Sequence, residues 1–155
     1  LRGVRKDGGW LLANEACEKY NIKLIDFRAR SRAAPEKEMI FKADKLFNSI
    51  QYPALIHCKS GADRAGIMCA LYMLLHKREH PNIAQEQLSW KYLHVKWAKP
   101  GILDFFIEKY VKHYNQKKID FLKWVKNQYN PKILEKDFKS VWWINRILDD
   151  FLKRE

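Results

Sequence analysis

The chain has 155 residues, 47% of them hydrophobic and 14% aromatic, with a formal net charge of +12. That apolar share suffices for the core of one domain and excludes a mainly disordered chain; no apolar run approaches the roughly 18 residues of a membrane-spanning helix. Three cysteines, Cys17, Cys58 and Cys69, are odd in number and lack metal-ligand spacing, which argues against a disulfide framework or a zinc site and for a reducing, cytoplasmic setting.

In chain order, Gly8-Gly9 reads as a turn, and residues 10–20 read as a helix with Leu11, Leu12 and Ala16 toward one face. Ile22-Lys23-Leu24-Ile25-Asp26-Phe27 alternates as a strand does, and the basic loop Arg28-Ala29-Arg30-Ser31-Arg32 follows. Pro35 suits a first helical turn, and Met39, Ile40, Ala43, Leu46, Phe47 and Ile50 recur at helical spacing, predicting a helix over 35–50. Ala54-Leu55-Ile56 forms a short buried strand, and an apolar helix runs from Ile67 to Leu75. Strand, helix, strand, helix implies parallel strands joined by a right-handed crossover. The expected fold class is therefore α/β, with a central, mostly parallel sheet flanked by helices.

Beyond Arg78 the pattern is helical throughout: 83–95, 102–114, 119–129 and, after a cap at Ser140, 141–153. This divides the chain into a first domain over 1–116 and a helical C-terminal extension over 117–155 packed on it. The stripe Trp142, Trp143, Ile144, Ile147, Leu148, Phe151 and Leu152 reads first as intramolecular packing and second as an interfacial helix for a membrane surface.

Between the second strand and its helix lies His57-Cys58-Lys59-Ser60-Gly61-Ala62-Asp63-Arg64-Ala65-Gly66. Gly61 and Gly66 let successive N–H groups turn inward as an anion-binding nest, and the helix start adds partial positive charge. The same field lowers a thiol's pKa, so Cys58 can act as a thiolate. The Arg64 guanidinium offers a planar fork for two oxygens of one phosphate.

This segment resembles the His-Cys-x5-Arg signature of cysteine-dependent protein tyrosine and dual-specificity phosphatases, in a bacterial-type dual-specificity-like form. The resemblance implies a dual-specificity-phosphatase-like sheet, two-step phosphoryl transfer through a phosphocysteine at Cys58, and no metal or cofactor. Residues 59–64, namely Lys59, Ser60, Gly61, Ala62, Asp63 and Arg64, would bind the phosphoryl oxygens, with His57, Ala65 and Gly66 in support. Leu1-Arg2-Gly3 is similar to the end of a family strand, which implies that further strands, and any anchor or signal, lie before the sequence shown.

For the general acid the family places an aspartate after the preceding strand, where Asp26 stands. Asp63 is the rival, because its Asp-Arg pair resembles lipid phosphatases of the myotubularin and Sac type. Ala65 stands where the family carries Ser or Thr, as in phosphatases of regenerating liver, and implies slow turnover. Lys59 is similar to phosphatase-and-tensin-type lipid phosphatases. With Arg28, Arg30 and Arg32 it would form a basic rim for a highly anionic substrate: a phospholipid, a phosphorylated glycolipid, an inositol phosphate or a phosphotyrosine protein. The alternative is a low-turnover phospho-binding module. The positive charge also suits an anionic membrane surface, hence a peripheral location, while no motif points to nucleic acid. Cys17 is a candidate partner for an oxidised Cys58, and Cys69 reads as a core residue.

Overall fold

The computed structural model describes residues 1–5 and 7–152, the stretch 143–152 as helix backbone alone. Helix α1, Gly8–Lys19, starts earlier than the glycine pair suggests, because the Asp7 carboxylate accepts the Trp10 N–H at 3.0 Å and caps it. It buries no residue of its own. Helix α2, Lys37–Ser49, buries Ile40, Ala43 and Phe47, the stripe expected from their spacing. Pro35 lies before the first turn rather than in it, and its carbonyl accepts the Tyr129 hydroxyl at 2.7 Å.

Helix α3, Asp63–Tyr72, is the buried centre of the molecule and continues as one π-helical turn over Met73–Lys77. Its Ile67, Met68 and Leu71 meet Leu103, Phe106 and Ile107 of α5, Ile102–Lys117, in one core. Phe121, Trp124 and Val125 of α6, Phe121–Asn127, join the same cluster.

The expected helix over 83–95 does not form. Helix α4 covers only Pro81–Gln85; Ser89 is extended, Trp90–Tyr92 is a single 3-10 turn, and Leu93 is left-handed at φ 59°. The reason is orientation, since Trp90, Tyr92 and Leu93 are exposed while Leu88 and His94 point inward. A second 3-10 turn, Lys99–Gly101, leads into α5. Helix α6, Phe121–Asn127, is capped by Asp120. Helix α7, Pro131–Leu152, starts nine residues ahead of Ser140, with Asn130 Oδ1 accepting the N–H groups of Lys132 and Ile133 and proline in the first turn. The Ser140 hydroxyl is turned to the Lys136 carbonyl instead. Of the C-terminal stripe only Trp142 falls within the described side chains, where its indole donates to the Trp97 carbonyl at 3.3 Å. No described helix is long and apolar enough to cross a membrane.

The predicted parallel sheet is corrected outright, because the described residues hold no strand. Segments 22–27 and 54–57 take no regular structure, and isolated hydrogen bonds tie this part of the chain to its first residues: Gly3 N–H to Phe27 O, Ala29 N–H to Leu1 O, and the Leu1 amine to His57 O at 3.0 Å. The one bridge, Arg2 with Arg28, is antiparallel. A strand requires neighbours that pair with it over successive residues, and an apolar run specifies only extended backbone. Leu55, expected to be buried, is 88% exposed, so nothing covers that side of the would-be central strand.

Candidate active site

The loop from Cys58 to Arg64 is tied at its far end to α3. Gly61 adopts φ 77°, a region open to glycine at little cost, and no other atom lies near where its Cβ would be. Gly66 is held by contact instead, since a Cβ there would sit 2.8 Å from the Gln87 carbonyl oxygen and 3.0 Å from Leu88 Cδ2. The loop's exit thus packs directly on residues 87–88.

This geometry turns backbone N–H groups onto the half-buried Cys58 thiol. Burial alone would raise its pKa, but hydrogen bonds from the N–H groups of Ala65, Gly61 and Ser60, with the charge of Arg64, outweigh that and hold it below the usual thiol range. Cys69, on α3, has burial without such donors and its pKa is raised. All three cysteines are free.

The two candidate acids are placed differently. Asp26 is exposed, and both of its oxygens accept the Trp10 indole N–H, at 2.9 and 3.1 Å. It comes near the cysteine loop: the Leu1 amine, its pKa lowered first by burial and then by Arg64, is within electrostatic reach of Cys58 and Asp26 as well. Asp63 faces away into the protein. Its Oδ1 meets His94 Nδ1 at 2.8 Å, and His94 Nε2 meets Asp104 Oδ2 at 2.5 Å. His94 and Asp104 are both buried. Burial pushes the His94 pKa down, yet the hydrogen bonds and charges of Asp104 and Asp63 win and raise it. This chain of three ties the residue beside Arg64 to α5.

The remaining expected site residues divide between the surface and the interior. Lys59 and Ser60 are exposed, Ala62 is buried, and Ala65 is buried with only its N–H toward the thiol. His57 is exposed; its carbonyl binds the Leu1 amine, and among the described residues its ring makes no hydrogen bond. Arg28 and Arg30 line a small hollow of about 160 Å³ with Ala34, Pro35, Glu36 and Met39, and Arg32 stands exposed outside it. Trp10, His94 and Asp104 were not legible as site residues, because each touches the site only through the folded chain; Trp10 read as the first turn of a helix. No group of described residues is arranged to hold a metal ion.

A thiol under three N–H donors beside an arginine is an arrangement chemically suited to a phosphate group. Residues 5–99, more than half of the chain, match the family described as PTP-SAK, Swiss Army Knife protein, DSP-PTPase phosphatase domain, and the chain belongs to that family. No curated protein and no solved structure matches it.

Proposed function

We propose that this phosphatase domain hydrolyses phosphomonoesters through a phosphocysteine at Cys58. The observation that supports the reading most directly is the convergence of three loop N–H groups and Arg64 on the thiol. In the first step the Cys58 thiolate forms an S–P bond as the P–O bond to the leaving group breaks, and Asp26 gives that oxygen its proton. In the second, water attacks phosphorus, its proton passes to the Asp26 carboxylate, and phosphate leaves as the thiolate is restored. The loop N–H groups and Arg64 stabilise the equatorial oxygens in both steps.

Asp26 is favoured over Asp63 because Asp63 is turned to buried His94 inside the protein, whereas Asp26 stands exposed where a leaving group in solvent can be met. The substrate is a highly anionic phosphate ester, lipid-borne or soluble, drawn by exposed Lys59 and by Arg28 and Arg30. Ala65 supplies no hydroxyl to assist the departing thiolate, so the second step is the slow one. Hydrolysis of para-nitrophenyl phosphate should show a burst, and Cys58→Ser should abolish both burst and turnover. A thiol-linked phosphate should be recovered from the parent chain when it is denatured during turnover. Turnover that survives Cys58→Ser would overturn the mechanism, and tight vanadate binding without any turnover would leave a phospho-binding module.

A further inference from the structure

Segment 89–99 does not take part in the chemistry above, yet its composition is unusual for an exposed connection. It carries Trp90, Tyr92, Leu93 and Trp97 together with Lys91, Lys96 and Lys99, and no acidic residue occurs from 87 to 103. Trp97 is 77% exposed, Leu93 68% and Trp90 66%. Large apolar side chains scattered singly need no explanation, but four on one short segment form a patch.

Backbone geometry raises these groups outward. Ser89 is extended, the 3-10 turn lifts Trp90 and Tyr92, and Leu93 takes the left-handed conformation, which a branched apolar residue adopts at a cost. Meanwhile His94 is drawn inward to Asp63 and Asp104. The patch is therefore held rigidly next to the phosphate-binding loop, since Asp63 opens α3 and residues 87–88 press on Gly66.

We propose that segment 89–99 is a docking surface for an anionic lipid bilayer. Indole and phenol rings with one aliphatic tip suit the headgroup boundary, where an apolar body and a polar edge are both satisfied. Exposed Lys91 and Lys99 pair with no carboxylate among the described residues and would meet anionic headgroups, while Lys96 is bound to Glu108. A strip for single-stranded nucleic acid would present free ring faces. Here Trp90 and Trp97 face each other at 6.5 Å between centroids with planes 20° from parallel, and Leu93, 68% exposed, adds an aliphatic tip on which a base would not stack. Docking by this surface would set the cysteine loop beside the membrane. The inference is independent of catalysis, and the Cys58→Ser chain should dock equally well.

The test is co-sedimentation with vesicles of phosphatidylcholine alone or with about a third phosphatidylserine. The chain should pellet with the anionic vesicles only. Trp90→Ala with Trp97→Ala should weaken binding at least about tenfold. Leu93→Asn provides a second variant that keeps the fold, because asparagine tolerates the left-handed conformation, and it too should weaken binding. Both should leave the melting temperature and the hydrolysis of soluble para-nitrophenyl phosphate unchanged. Equal binding by parent and both variants would overturn the proposal and leave only the general positive charge. So would equal pelleting with neutral vesicles, or a single-stranded oligonucleotide that displaces the vesicles from parent but not from the Trp variant.

Discussion

At the scale of single residues the site depends on what each polar group is given to bind. Cys58 and Cys69 lie on either side of the same corner, and the difference in their pKa directions follows from three N–H donors at one and none at the other. Asp26 is held in an analogous way by Trp10, whose one N–H reaches both carboxylate oxygens. Trp10→Phe keeps the ring and frees the carboxylate. If Asp26 is the acid, kcat/KM for phenyl phosphate should drop about tenfold, part of the roughly 10²- to 10⁴-fold a general acid supplies. An ester whose leaving group departs without a proton should change less than about twofold. Asp26→Asn should lower the phenyl phosphate rate further and make it insensitive to Trp10→Phe. Equal losses on both esters would mark Trp10 as merely structural, and no loss with Asp26→Asn would displace Asp26 itself.

At the scale of elements the loop is fixed by how closely its helix approaches its neighbours. The absence of a side chain at Gly66 lets α3 rest on the Gln87 carbonyl and the Leu88 side chain, and Gly101 permits a still closer crossing with the Lys96 carbonyl. Gly66→Ala forces a backbone shift and should cost about 1–3 kcal/mol, read as a lowered urea midpoint with an unchanged slope. The same close packing explains why the sequence misled between 83 and 95. Helical periodicity presumes that apolar residues face inward, but Trp90, Tyr92 and Leu93 face out. The α2 stripe obeys the presumption, and there Ile40, Ala43 and Phe47 are buried as their spacing predicts.

At the scale of the molecule, the Asp63, His94 and Asp104 chain joins the end of the cysteine loop to the helical half. His94 holds its proton more strongly folded than unfolded, where a histidine titrates near 6.5. Its contribution is therefore complete below about pH 6.5 and is lost as pH rises through the raised folded-state value. Urea unfolding in the Cys58→Ser background, which removes a thiol that titrates in the opposite sense, should show stability declining through that window. His94→Gln should flatten that decline. The difference between the parent and His94→Gln curves isolates this group from the Leu1 amine, whose lowered pKa acts in the opposite sense, and a difference that grows with pH would refute the sign. By itself the sequence carried the cysteine loop and the family, because seven consecutive residues hold the thiol, a glycine that turns the backbone and the arginine. Only the tertiary structure decided that the extended segments form no ladder, that Trp10 holds Asp26 and that Asp63 turns inward to His94. Each of those depends on which distant group the folded chain brings within about 3 Å, and spacing along the chain carries no record of it.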